Sequence, residues 1–256
     1  LNGRVVGYTA SNCHVVDIGG RIFSATGQSV YEEGLQIPVM KLYDSGQRNE
    51  TLFQIIADNV RSPDLVLGDL MAQVSANQVA GERLLSVMTD HRLDDLTGLA
   101  EEITGRTEKM MRDAIAKVPD GVYRDSVQLD GFGTPLTIAV ALTIDGDEIT
   151  VDFDGTSAQI DMGVNCVLNY TKAFVYYAVK CALSPEAPNN DGSLRPIRVV
   201  APPSSILNAT YPAPVGGRHL VGLFVPFAVF GALSHIIPGR IMAQSSVLGA
   251  VTMSGM

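Results

Sequence analysis

An α+β fold is what this sequence predicts, and three observations predict it. Between Glu50 and Val118 apolar residues recur at helical spacing. Beyond Leu136 the period shortens to two around an Asp145-Gly146-Asp147 turn. Helices and antiparallel strands occupy separate blocks, which argues against a doubly wound sheet. The chain therefore reads as a mainly extended 1–48, a helical insertion over 49–118, and mixed hairpin and helices over 119–256, all part of a larger polypeptide.

Each element has a local reason. The first 45 residues carry short β-branched runs broken by Gly19-Gly20, Gly27 and Gly34. Glu50 to Val60 reads as a helix because Leu52, Phe53, Ile56 and Val60 share a face, and Pro63 interrupts it. Leu65 to about Met88 is a second helix. A third runs from about Asp95 to Val118 on a stripe of Met111, Ala114, Ile115 and Val118, and Pro119-Asp120-Gly121 stops it. Leu136–Ile144 and Glu148–Asp154 form a hairpin. Val167 to Leu183 returns to helix, with Phe174, Tyr177 and Cys181 along one side and Pro185 and Pro188 beyond it. A strand at Ile197–Val200 leads through a proline-punctuated segment to an apolar helix.

The 256 residues carry a net charge of −9, distributed unevenly. From Val199 to Met256 the ionic side chains are Arg218 and Arg240 alone, so all the acids lie before that point. An acidic chain without a basic cluster argues against nucleic acid and against anionic membrane surfaces. The apolar run Leu220–Leu233 is 14 residues long, short of the roughly 20 a bilayer requires; a buried helix is expected there. Cys13, Cys166 and Cys181 fit neither a disulfide framework nor a zinc spacing, so a reducing cytoplasm is the expected compartment. The strand-like start without methionine and the apolar Gly/Ser-rich end at Met256 read as cuts through a longer chain.

Nucleotide-binding, nucleophile-elbow, C-x-x-C and H-E-x-x-H motifs are absent from the sequence. The most suggestive patch is Asn12-Cys13-His14-Val15-Val16-Asp17-Ile18-Gly19-Gly20. His14 and Asp17 would face opposite sides of a flat strand. One arrangement has His14 on a divalent metal while Asp17 fixes local backbone or a neighbouring partner of the ligand; the alternative is a hydrogen-bonded core histidine and an Asx turn running into Gly19-Gly20. Glu33, in Glu32-Glu33-Gly34, is either a site carboxylate or part of a solvated turn. Asp17 and Glu33 are thus the weak catalytic candidates. Arg61 is expected to pair with Asp69 across Pro63, Asp152 and Asp154 to lie on a half-exposed strand, and Asn189-Asn190-Asp191-Gly192 to be turn chemistry first.

Several stretches together resemble the hydantoinase B/oxoprolinase family. They are Cys13–Gly20, Glu33–Pro38, Asn59–Pro63 leading to Gly68–Gln73, Pro119–Tyr123, Val151–Ser157, Asn190–Ile197 and Tyr211–Val215. The resemblance implies a metal-bearing chain that works beside an ATP-using, hydantoinase A-like subunit, which activates a cyclic amide or carbonyl by phosphorylation. It also implies metal donors from N-D-P, G-x-H-x-x-D and H-x-x-D-[IV]-G-G motifs. The last alone is present, and its match is His14. Two departures stand out: Val15 where many members carry a second histidine, and Val39 where many carry a second proline.

The expectation is the metal-binding subunit of an ATP-dependent hydrolase of hydantoin- or oxoproline-type rings, with Zn, Mn or Fe as metal and ATP bound only by the partner. The fragment alone is expected to be inactive. Rival readings are an acetone-carboxylase-type ligase subunit and a non-catalytic scaffold for the ATPase subunit.

Overall fold

A computed structural model describes residues 1, 3–22 and 24–242. The Gly/Ser-rich end at 243–256 lies outside the described residues. The chain forms two compact units, Leu1–Ile22 with Tyr31–Glu102, and Phe23–Val30 with Ile103–Met256.

In the first unit the expected extended segment is largely irregular. Its paired strands are the two-residue β1 (Tyr43–Asp44) and β2 (Gln47–Arg48). Elsewhere the backbone pairs loop to loop, Leu35 N donating to Ile18 O at 2.7 Å and Arg21 N to Glu32 O at 2.8 Å. Helix α1 (Glu50–Asn59) begins where the Asn49 side chain accepts from Leu52 N at 3.2 Å, satisfying one orphan donor of the first turn. Pro63 does more than interrupt this helix: it opens α2 (Pro63–Asp90), where its fixed φ and missing N–H do no harm. Leu52, Ile56 and Val66 form the small core between α1 and α2.

Helix α3 (Thr97–Ile115) carries the division between the units. In the second unit Met111 and Ile115 enter a large core. A four-stranded sheet runs in the order β3 (Gly121–Leu129), β4 (Leu136–Asp145), β5 (Glu148–Asp152), β6 (Ile197–Val200). The β4–β5 hairpin is where the alternation placed it. β3 is an additional strand, antiparallel to β4 along its whole length. Its inward register of Tyr123, Asp125, Val127 and Leu129 includes a carboxylate, which spoils the apolar alternation. β6 lies parallel to β5, so the sheet is not purely antiparallel. The connection supplies the reason: helix α4 (Leu168–Leu183) lies between them, the crossover a parallel pair requires.

Leu136, Ile138, Val140, Leu142 and Ile144 project from β4 into the core, with Ile149 and Val151 from β5. Helix α6 (Val225–Ser234) packs against β3, β4 and α4. At Gly231 a Cβ would stand 1.4 Å from Asp125 Oδ2, so the closest approach of helix to strand requires glycine. The apolar run at 220–233 is therefore mostly core, with Leu220 exposed at its start. It divides into α5 (His219–Gly222) and α6, and no helix of the described residues is long and apolar enough to cross a membrane. The inner face of α4 is Thr171, Val175, Ala178, Val179 and Ala182. Of the stripe read along one side of this helix, Phe174 packs against the core, whereas Tyr177 is 57% exposed and Cys181 is exposed.

Candidate functional site

The Asp17-Ile18-Gly19-Gly20 segment crosses Glu33-Gly34 at backbone distance. Gly19, Gly20 and Gly34 all have positive φ. A Cβ on Gly20 would lie 2.4 Å from Gly34 N, and one on Gly34 2.5 Å from Ile18 O. Side chains are excluded at these positions by both conformation and space. Asp17 is 4% exposed and locks the crossing. Its Oδ1 accepts from Gly19 N at 2.9 Å, the Asx turn anticipated from the sequence, and from Arg61 Nη1 at 2.8 Å. Its Oδ2 accepts from the Arg61 backbone N–H, and Arg61 Nη2 donates to Gly20 O. These bonds, led by that backbone N–H, hold the Asp17 carboxyl below the usual carboxylate range despite its burial.

Two expectations change here. Arg61 pairs with Asp17 and not with Asp69, because the loop after α1 folds back onto the Gly-Gly turn rather than along α2. Glu33 lies in no solvated turn: it is 8% exposed, drawn in by the crossing at Gly34.

His14 and Asp17 have opposite fates. Asp17 is buried with both oxygens engaged, whereas Cys13 and His14 are exposed, the thiol donating to the His14 carbonyl at 3.4 Å. His14 is thus no core histidine. Among the described residues no group of three or more His, Cys, Asp or Glu side chains is placed to hold a metal ion. The donor set that the family resemblance implies is thus not assembled among the described residues, and His14, the position that matches one of its motifs, is exposed. A recess of about 410 Å³ opens beside the crossing, bounded by Gly20, Tyr31, Gly34, Gln36 and Asn59.

In the second unit the Asn190-Asp191-Gly192-Ser193 motif is a docking device. Asn190 Oδ1 accepts from Gly192 N at 2.9 Å, and its Nδ2 donates to Thr107 Oγ1 on α3 at 2.9 Å. A Cβ on Gly192 would lie 2.0 Å from Thr104 O. An ionic chain continues the contact. Arg195 bridges Asp191 and Glu108 at 2.8 and 3.1 Å, and Arg112 bridges Glu108 with the turn acids Asp147 and Glu148. The two arginines hold the Glu108 carboxyl below its ordinary value. The turn chemistry expected here is present, and its purpose is to fix the loop on α3. Asp152 is also a turn residue, accepting from Asp154 N at 3.0 Å.

Sequence reasoning missed Asn165 and Arg218. Asn165, fully buried, accepts from Ile160 N at 3.0 Å and donates to the carbonyls of Ile160, Met162 and Pro214 at 2.8–2.9 Å. A lone Asn in Gly-Val-Asn-Cys has no local signature. Arg218 was visible as one of two charges in the last 58 residues, but its surroundings were not.

The family model for hydantoinase B/oxoprolinase matches residues 1–256. A Pseudomonas sp. (strain NS671) protein, provisionally named as one component of a D-/L-hydantoinase, is 34% identical over 98% of this chain and 46% of its own length. The beta component of the Pseudomonas jessenii caprolactamase is 28% identical over 99% of this chain and 45% of its own. The chain thus spans a little under half of these relatives. The crystal structure of the ATP-dependent caprolactamase from P. jessenii superposes with a TM-score of 0.80 at 29% identity, covering 89% of this chain and 40% of that one. Nucleotide-free acetone carboxylase shares the fold, with a TM-score of 0.78 at 16% identity over 89% of this chain and 33% of that one.

Proposed function

Because the chain belongs to the hydantoinase B/oxoprolinase family, we propose that it forms part of the amide-handling subunit of an ATP-dependent cyclic-amide hydrolase, with a separate hydantoinase A-like subunit using the ATP. Support comes from the relatives, named for hydantoin, caprolactam and 5-oxoproline, all cyclic amides. The observation that carries the reading is the Gly20–Gly34 crossing clamped by Arg61 through Asp17. It holds the Cys13–His14 segment at its root while leaving the imidazole exposed. A site assembled from several chain segments needs such a rigid support. Asp17 is a positioning residue in this reading, since both its oxygens are engaged by Arg61 and Gly19. Glu33 is a second carboxylate buried at the same crossing. His14 is assigned as one donor to a divalent metal, Zn, Mn or Fe, whose other donors come from outside these 256 residues.

The experiment uses the full-length subunit with its ATP-using partner and offers hydantoin, 5-oxoproline and caprolactam in turn. ATP-dependent ring opening is expected for at least one ring. His14→Ala should lose both bound metal and turnover while retaining the wild-type circular dichroism spectrum. Unchanged metal content and turnover would remove the His14 assignment. Bicarbonate-dependent consumption of a ketone, with no ring opening, would replace the hydrolase with a carboxylase.

A further inference from the structure

The second unit holds a cation whose hydrogen-bonding capacity is almost unused among the described residues. Arg218 sits in a segment whose backbone is pinned on several sides. Asn165 Nδ2 donates to Pro214 O at 2.9 Å, and Gly217 N donates to Gly163 O. The Arg218 carbonyl itself accepts from Gly222 N at 2.8 Å and from Cys166 Sγ at 3.4 Å. The guanidinium is fixed as well, its carbon 5.2 Å from the centroid of the Tyr170 ring. That ring is held in turn, since a Cβ on Gly222 would meet it at 2.3 Å and Phe174 abuts it edge-on at 4.9 Å.

A guanidinium offers five N–H donors. Here one of them reaches Val215 O, at 3.5 Å, the long limit of a hydrogen bond. Among the described residues no carboxylate pairs with Arg218, and its own segment offers none, because no acid follows Asp191 in the sequence. The Tyr170 hydroxyl likewise makes no hydrogen bond among the described residues. Burial raises its pKa, so at neutral pH it carries its proton and can donate. A partly buried cation on a preset fork, beside an unspent phenol, matches planar or tetrahedral oxyanions in geometry and charge.

We propose that Arg218 and Tyr170 form a binding site for a small oxyanion, a carboxylate or a phosphoryl group. The site stands whether or not the assembly hydrolyses a cyclic amide, because it rests on the second unit alone.

The test titrates the chain with sodium phosphate and, separately, sodium acetate, with ionic strength held constant by chloride. Melting temperature and calorimetric heat are the readouts. A saturable rise over the chloride control is expected with at least one anion. Phosphate alone identifies a phosphoryl site, and acetate binding equally or better identifies a carboxylate site. Arg218→Gln should abolish the saturable part, and Tyr170→Phe, which keeps the ring, should weaken it several-fold. No saturable response to either anion, or the same response in Arg218→Gln, overturns the proposal. If Arg218→Gln does not fold, Arg218→Lys decides. It keeps the charge and loses the fork, so an affinity weaker by about tenfold supports the site and an unchanged affinity overturns it.

Discussion

Replacing Gly192 by alanine should separate the 190–195 loop from helix α3. The added Cβ would stand 2.0 Å from Thr104 O, 2.8 Å from Thr104 C and 3.0 Å from Glu108 N. All three are backbone atoms of a packed helix, so no side chain can swing aside. Ordinary contact distance is near ~3.5 Å, and the loop must therefore withdraw by roughly 1.5 Å. That withdrawal breaks the 2.9 Å bond from Asn190 to Thr107, about 1 kcal/mol. The strain of forcing a methyl into a filled contact adds about 1–3 kcal/mol. A total of roughly 2–4 kcal/mol corresponds to a fall in melting temperature of roughly 5–15 °C for a chain of this size. Differential scanning calorimetry of wild type and Gly192→Ala measures it. Gly68→Ala is the control: it lies in α2 with nothing within 4 Å of the added Cβ, and should leave the melting temperature unchanged or raise it slightly. A drop under about 2 °C for Gly192→Ala would refute the inference that this motif exists to dock the loop.

The remaining predictions concern the first unit and the thiols. Gly20→Ala meets both a positive φ of +55° and three backbone atoms within 2.6 Å. It should destabilise the first unit by about 2–4 kcal/mol, seen as faster limited proteolysis before α1. Asp17 has a folded pKa lowered from its ordinary 3.8, so the unfolded chain takes up its proton first on acidification. Its stabilisation is complete above that value and is lost as pH falls through the folded pKa. Asp17→Asn should flatten this acid limb in melting temperature against pH, and an unchanged limb would assign it to other carboxylates such as Glu108. Burial pushes the Cys166 thiol up to about 12, whereas Cys13 and Cys181 are exposed. A disulfide reagent at neutral pH should therefore titrate two thiols quickly in the native protein and the third only on unfolding. Three fast thiols would contradict the packing around α4.

Legibility in the sequence followed the range of the interactions. α1, α2 and the β4–β5 hairpin could be read because their signals are local: apolar residues at helical spacing, a proline between the two helices, an Asp-Gly turn between alternating runs. β3 escaped because Asp125, tucked under Gly231, occupies a register position that in an ordinary strand would be apolar. The parallel pairing of β6 could not be read at all, since pairing partners lie across a helical crossover. At the candidate site the motif residues were legible as a pattern while their partners were not. Arg61 lies 44 positions from Asp17, and nothing in either local stretch states that it bypasses the nearer Asp69. The outer placement of Tyr177 and Cys181 escaped for the same reason, because a helix that is apolar on most sides does not declare which of them meets the core.

From residue order alone came the α+β class, the succession of helices and hairpin, the burial of the apolar run near Leu220, and a motif series specific enough to identify the family. Each is a matter of short-range periodicity, steric preference or spacing along the chain. Folding in three dimensions determined the rest: that Asp17 spends both oxygens on Arg61 and Gly19, that His14 stands open to solvent, that Glu33 is buried, and that the Arg218 guanidinium lies over the Tyr170 ring. Those outcomes depend on which distant groups reach one another first and fill one another's hydrogen-bonding capacity. A linear sequence lists the donors and acceptors without saying which pairs will close.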